Sequence, residues 1–340
     1  MIGEQWNRRQ WLGVLSGVAL SSTPAWVHAS EEQLPSAPLP RAVPRFRYCL
    51  NTSTVRDAQG RSRPLTELID IARKAGYEAL EPWTHEVEAY LQAGGTLREL
   101  RHRLEDAGLQ VPDLIGFAEW IVADPERRRK GLEQAKRYME WAAQLGCPHL
   151  AAPPVGATGG TSPRDDPRRS EPVTDLLAAA ERYQALVELG RSCGVVPLIE
   201  IWGFSRTLSR LGEALFIAAE SRQPHAAILP DVYHLYKGGS DFAGLHLVAP
   251  VAIGIFHIND YPNIPRHQIT DADRVFPGDG TAPLPQILHT LHLRGYTGYL
   301  SLELFNRAYW KQDPLSVART GLRKMQTITA AAVTAAQSDR

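Results

Sequence analysis

Four polar residues lie within or just after apolar segments in the second half of the chain, where short strands are expected to end. They are Glu200, Asp231, His257 and Glu303. One such carboxylate alone would more often indicate a structural ion pair, because burying it without a partner is costly. Three carboxylates and one imidazole at four successive strand ends are instead typical of a site for one divalent metal ion. This donor set favours Mn²⁺, Mg²⁺ or Co²⁺, and it is also compatible with Zn²⁺.

The elements that must position these residues alternate regularly. Eight apolar segments of strand length recur from 46–50 to 298–303, separated by segments with helical spacing of apolar residues. This alternation predicts an α/β protein with a parallel sheet, and eight units predict a single-domain (β/α)8 TIM barrel over residues 45–335. The carboxyl ends of barrel strands surround one site, so the four polar residues are predicted to meet there. The long connections 153–172 and 260–283 follow strands on that face and are predicted to be lids or substrate walls.

The composition is that of an ordinary globular protein without a strongly charged partner surface. Of the 340 residues 44% are apolar, and Lys plus Arg equals Asp plus Glu at 37 each. A nucleic-acid-binding protein would normally carry a basic excess, so nucleic acid is not an expected partner. The three cysteines, Cys49, Cys147 and Cys193, show no C-x-x-C spacing and predict neither a disulfide framework nor a zinc ribbon.

The first 29 residues are predicted to be a signal peptide. The pair Arg8–Arg9 precedes the apolar run 14–20, and small residues end at Ala29, which together resemble a twin-arginine export signal. The protein is therefore expected to be periplasmic or otherwise exported by that route. Residues 30–44 are rich in proline and are predicted to be a linker. Elsewhere the sequence has no apolar stretch of membrane-spanning length, so no membrane partner is expected beyond export.

From about residue 45 to 330 the chain resembles the xylose-isomerase-like barrel superfamily of sugar (phosphate) isomerases and epimerases. In that family a Glu, an Asp, a His and a Glu at the ends of strands five to eight hold one divalent metal. The positions that match are Glu200, Asp231, His257 and Glu303. The resemblance also implies that Glu200 and Glu303 act as the acid–base pair.

The same resemblance implies residues that bind substrate. The family's Asp-x-x-His motif matches the segment that ends at His234, and its Arg before a Gly-x-Gly turn matches Arg274. Ketose 3-epimerases carry a substrate-contacting Glu six residues after the fifth-strand Glu, where this chain has Arg206. That departure argues against an epimerase of free ketoses.

Three tryptophans follow predicted strand ends and are candidates for a sugar-binding surface. Trp83, Trp120 and Trp202 come just after strands two, three and five, where their rings could face sugar C–H groups or pack in the core. Glu81, at the end of strand two, could orient a substrate hydroxyl or pair with an arginine.

The resemblance implies a metal-dependent isomerase or epimerase of a keto-sugar or polyol-derived substrate, working through an enediolate. The alternative at the same site is a dehydratase or lyase on a keto-sugar or 3-keto-glycoside, because the same enediolate can expel a β-oxygen. A metal-cluster phosphodiesterase and a non-catalytic binding protein remain as further alternatives. The expected partner is a small sugar, and a homo-oligomer is one possible assembly.

Overall fold

The computed structural model describes residues 45–157 and 175–338, with side chains up to residue 334. The predicted signal peptide, the predicted linker and most of the predicted connection 153–172 lie outside these ranges. Within them the strands are Arg47–Asn51 (β1), Ala79–Glu81 (β2), Leu114–Ile115 (β3), His149–Ala152 (β4), Val196–Glu200 (β5), Ala227–Leu229 (β6), Phe256–Ile258 (β7) and Tyr299–Leu302 (β8).

The eight strands form a closed parallel barrel in chain order. Continuous pairing gives two four-stranded sheets, with orders β2-β1-β8-β7 and β3-β4-β5-β6. Isolated parallel bridges, two at each seam, join the two sheets. Trp83 pairs with Ile115 between the ends of β2 and β3, and Asp231 pairs with His257 between the ends of β6 and β7. The predicted TIM barrel is confirmed.

Helices surround the barrel and bury their apolar faces against it. Those in the described ranges are Leu65–Ala75 (α1), Thr84–Gln92 (α2), Leu97–Asp106 (α3), Pro125–Leu145 (α4), Leu176–Cys193 (α5), Leu211–Glu220 (α6), Val232–Gly238 (α7), Leu284–Leu293 (α8) and Pro314–Ser338 (α9). None of these helices is both long enough and apolar enough to cross a membrane.

The short helices α2 and α7 follow β2 and β6 directly and were not predicted. Helix α7 is only seven residues long, too short to show a helical period in the sequence. It forms because Asp231 caps it, with one carboxylate oxygen accepting the backbone N–H of His234 at 2.8 Å. Helix α6 begins only at Leu211, since Leu208 has φ of 62° and cannot lie in a right-handed helix.

Candidate active site

Three of the four predicted metal ligands come together at the carboxyl ends of β6, β7 and β8. One potential ligand atom from each of Asp231, His257 and Glu303 lies within 4.8 Å of the others. His257 Nδ1 is 3.2 Å from Glu303 Oε2 and 3.7 Å from Asp231 Oδ2. All three side chains are buried. Two carboxylates and one imidazole therefore converge on a single point.

The fourth predicted ligand, Glu200, ends β5 and lines the same cavity as Glu303, but its carboxylate lies outside the converging group of three. Its Oε1 accepts a hydrogen bond from Trp202 Nε1 at 2.9 Å. Its Oε2 is buried and has no hydrogen-bond partner among the described residues. Burial, with the negative charge of Glu303 nearby, raises the pKa of Glu200 to about 8.

His257 is oriented by Glu81, a carboxylate for which the sequence suggested a different role. Its Nε2 lies 2.9 Å from Glu81 Oε1, which directs Nδ1 toward Asp231 and Glu303. A carboxylate on the far nitrogen of a ligating imidazole is the usual way such a ring is held in place. Glu81 is fully buried and does not line the cavity, so the prediction that it orients a substrate hydroxyl or pairs with an arginine is wrong.

The predicted substrate-binding Arg274 contacts the predicted ligands directly. Its Nη1 donates to Asp231 Oδ2 at 2.9 Å and to Glu303 Oε2 at 2.8 Å, while Nη2 donates to Asp271 Oδ1 at 2.5 Å. Although burial of the Glu303 carboxyl works the other way, the charges of His257 and Arg274 hold its pKa below the usual range. At neutral pH Glu303 is therefore ionised, whereas Glu200 is mostly protonated.

The predicted substrate-binding His234 also lines the cavity, beside Arg274. Its Nδ1 accepts the backbone N–H of Gly203 at 3.2 Å, and its Nε2 lies 3.1 Å from Arg274 Nη2. Burial, together with the charge of Arg274, holds the pKa of His234 well below its usual range. The imidazole is therefore neutral, so the nitrogen that accepts the Gly203 N–H is its acceptor and the other nitrogen carries the proton.

The donor chemistry fits a divalent cation. Burial alone disfavours a charged His257, yet the carboxylates of Glu81 and Glu303 raise its pKa well above the usual range. The carboxylates around the converging atoms therefore favour positive charge there, which Arg274 supplies in part. The buried Glu200 Oε2, without a partner among the described residues, is a further oxygen donor close to the group. Oxygen donors with one imidazole suit Mg²⁺, Mn²⁺, Co²⁺ or Zn²⁺.

An aromatic wall lines the cavity, whose volume is about 440 Å³. The ring centroids of Trp83 and Phe117 are 5.1 Å apart, and those of Phe117 and Trp202 are 5.9 Å apart. Trp83 and Trp202 thus lie where the sequence placed them. Trp120 does not line the cavity: it is fully buried, and its Nε1 donates to backbone carbonyl groups at the end of β4. The exposed Arg206 also lies outside the cavity lining.

The segment 260–283 is anchored by Asp260 and carries Arg274 into the site. The Asp260 carboxylate accepts the backbone N–H groups of Tyr261, Gly278, Gly280 and Ala282, all at 2.8–3.0 Å. A Cβ at position 280 would stand 2.3 Å from Asp260 Oδ1, so glycine is needed for this close approach. The Gly-x-Gly turn after Arg274 is therefore a carboxylate-binding turn that fixes the loop.

Asp260→Ala is expected to lower the free energy of unfolding by about 3 kcal/mol, because buried backbone donors lose a charged acceptor. Urea denaturation monitored by tryptophan fluorescence measures this change. The control is Asp241→Ala, which removes an exposed carboxylate that accepts one backbone N–H and should cost about 1 kcal/mol or less. Equal losses in the two variants would show that Asp260 does not anchor the loop.

Comparison with known proteins gives relatives with isomerase, epimerase and dehydratase names. An inosose isomerase from Halalkalibacterium halodurans is 25% identical over 278 residues, 81% of this chain and 93% of that protein. A 3-dehydro-D-guloside 4-epimerase from Escherichia coli is 24% identical over 68% of this chain and 84% of its own length. A 3-dehydroshikimate dehydratase from Pseudomonas aeruginosa is 24% identical over 78% of this chain, but over 40% of its own length.

Solved structures and family models agree on the barrel. The structure of the IOLI protein with a binding zinc atom superposes with a TM-score of 0.73 at 20% identity, covering 84% of this chain and 98% of that one. The model of the xylose isomerase-like TIM barrel family matches residues 69–328, which contain all the candidate site residues. The chain belongs to the xylose isomerase-like TIM barrel family.

Proposed function

We propose that the protein is a divalent-metal-dependent isomerase or epimerase of a keto-sugar or polyol-derived keto compound, acting through an enediolate. The observation that carries the proposal is the placement of two carboxylates, Glu200 from β5 and Glu303 after β8, in one cavity beside the convergent Asp231–His257–Glu303 group. The isomerase and epimerase names of the relatives support the same class of reaction.

Asp231, His257 and Glu303 would hold the ion, with Glu200 as the additional oxygen ligand. A bound divalent ion would supply positive charge beside the substrate oxygens that become negative when the α-proton leaves. Glu200 and Glu303 are the groups that move the proton. In an epimerase one takes it from one face of the carbon and the other returns it to the opposite face, whereas in an isomerase one carboxylate carries it to the neighbouring carbon.

The remaining cavity residues bind and orient the substrate. The rings of Trp83 and Trp202 offer apolar faces to sugar C–H groups and exclude water from the carboxylates. His234 is neutral, so it can hydrogen-bond a substrate hydroxyl without adding charge to the site. Arg274 holds the two carboxylates Asp231 and Glu303 in a fixed relative position.

Proton exchange with solvent tests this proposal. The protein reconstituted with Mn²⁺, Co²⁺, Mg²⁺ or Zn²⁺ is incubated in D₂O with a panel of keto-sugars and keto-polyols, and deuterium at the carbon next to the carbonyl is followed by NMR. An isomerase or epimerase is expected to incorporate deuterium into at least one substrate and to form its isomer. Absence of exchange and of product across the panel with every metal would contradict the proposal.

A dehydratase or lyase acting on a keto-sugar or 3-keto-glycoside is the second candidate. It is supported by the dehydratase among the relatives, and it needs the same proton abstraction. The same incubations separate the two reactions, because elimination yields an unsaturated product whereas isomerisation and epimerisation conserve the molecular mass. Mass spectrometry of the products therefore decides between them.

We also propose that the protein is exported through the twin-arginine route, on the basis of Arg8 and Arg9 before an apolar run. Replacing both arginines by lysine is expected to leave the precursor inside the cell at its full mass, because the exporter reads the paired guanidinium groups. Cell fractionation and N-terminal sequencing measure the outcome. If the double lysine variant is cleaved after Ala29 and released like the parent, this assignment fails. A variant with Arg41→Lys, outside the signal, serves as the control.

A further inference from the structure

A second buried carboxyl group lies beneath the site, on the strand next to Glu81. Asp113 directly precedes β3 and has no exposed surface. The bridge between Trp83 and Ile115 sets the local register of β2 and β3, and counting back two residues on each strand places Glu81 beside Asp113. The two buried carboxyl groups are therefore neighbours, and each bears on the charge of the other.

The hydrogen-bond donors around this pair are unevenly distributed. Glu81 receives three of them: His257 Nε2 at 2.9 Å, Asn51 Nδ2 at 2.7 Å and Ser301 Oγ at 2.6 Å. Neither oxygen of Asp113 is paired with a protein donor in the part of the chain that the structure describes. A carboxylate has about four acceptor sites, so Glu81 has one left. Asp113 is therefore the carboxyl group that lacks protein donors, and it is the one placed to hold a proton.

The surroundings of Asp113 agree with this distribution. Two adjacent carboxylates without a cation between them cannot both ionise at low cost. Burial, with the negative charge of Glu81, raises the pKa of Asp113 well above its usual range. The titratable groups that bear on it are Glu81, Glu200, His257, Cys49 and Cys147. Both thiols have their pKa raised by burial and stay neutral.

We propose that Asp113 is a positioning residue of the candidate metal site: it remains protonated, donates its O–H to Glu81 and thereby holds Glu81 against His257 Nε2. Glu81 in turn orients the His257 ring and directs its Nδ1 toward Asp231 and Glu303. The geometry at the ion would therefore depend on Asp113, a neutral acid that acts through Glu81 and His257. This inference rests on the proposed metal-dependent function and extends its site inward by one residue.

Metal binding by two variants with the same branched arrangement of heavy atoms tests the positioning role. Asp113→Asn is neutral and keeps an N–H donor for Glu81, whereas Asp113→Leu removes the donor. Competition with a chromogenic chelator is expected to give a Co²⁺ affinity for the Asn variant within about 3-fold of the parent, and for the Leu variant at least about 10-fold weaker. The visible spectrum of bound Co²⁺, which reports ligand geometry, should change only in the Leu variant.

Two outcomes would overturn the role. Equal weakening in the Asn and Leu variants would show that Asp113 acts through a negative charge, and parental affinity and spectrum in the Leu variant would show that it does not position the site. Thr290→Val is the control for lost stability alone, because Thr290 is a buried hydroxyl in α8 that hydrogen-bonds His246. It should leave Co²⁺ affinity unchanged.

A metal-free measurement separates this inference from the proposed function. The protein is kept metal-free by chelator. An Asp that keeps its proton in the folded state but loses it on unfolding makes the folded protein less stable as the pH rises above about 3.9, which is the pKa of Asp in an unfolded chain. The melting temperature of Asp113→Asn relative to the parent should therefore increase by several degrees from pH 5 to pH 8. A difference that is constant with pH would mean that Asp113 is ionised, which overturns the inference. Failure of the parent to bind Co²⁺ would instead overturn the metal site, while this measurement still decides the Asp113–Glu81 hydrogen bond.

Discussion

Glu303→Gln is expected to lower the turnover of a proven keto-sugar substrate by about 10²-fold or more, with metal still bound. Glutamine keeps the size of the side chain and one oxygen that can ligate, but it cannot accept a proton at neutral pH. Turnover is measured on enzyme of known metal content, so that loss of the ion and loss of the base are separated. Glu188→Gln is the matched control, since Glu188 is exposed on the outer helix α5.

Glu200→Gln is expected to behave in the same way, and the pair of variants reveals the stereochemical course. If each glutamate serves one face of the substrate carbon, each variant is expected to retain deuterium exchange from one face while inversion fails. If a single base serves an isomerase, one of the two variants loses exchange and the other keeps it. Turnover at the parental rate in both variants would show that the carboxylates have a structural role and that the proposed mechanism is wrong.

Asp231→Asn and His257→Ala are expected to lower the metal content of purified protein well below the one ion per chain expected for the parent. Asparagine still caps α7, because its side-chain oxygen can accept the N–H of His234, so the effect reports the ligand rather than the helix. Elemental analysis after reconstitution and gel filtration measures the occupancy.

Loss of the metal ion should also lower the thermal stability of the protein. A ligand at 100 times its Kd stabilises the fold by about 2.7 kcal/mol, which for a domain of this size corresponds to about 4–5 °C. Chelator should therefore lower the melting temperature of the parent by that amount and leave Asp231→Asn nearly unchanged. Asp241→Asn is the control, since it changes an exposed carboxylate that contacts no proposed ligand, and chelator should lower its melting temperature as much as that of the parent. No bound metal in the parent with any of the four ions would contradict the site.

The barrel itself could be predicted from the sequence because its signals are local. Strand-length apolar runs alternating with helical spacing are set by which face of each element is buried, and eight repeats close into one ring. The same reasoning predicted that Asp231, His257 and Glu303 would meet, because strand order alone brings the carboxyl ends of β6, β7 and β8 together. Helices such as α7 were missed since a side-chain cap, rather than an apolar period, forms them.

Only the tertiary structure decided how these side chains are engaged. Glu81 and His257 are 176 residues apart, and Arg274 reaches Asp231 and Glu303 from a loop held by Asp260. Which carboxylate accepts from which donor depends on burial and on competition among all neighbours at once, and sequence spacing does not encode that. The sequence by itself therefore determined the fold family and the set of chemical groups. Three-dimensional packing decided that Glu81 holds the imidazole, that Glu200 keeps a buried oxygen without a partner among the described residues, and that Asp113 lies beneath them.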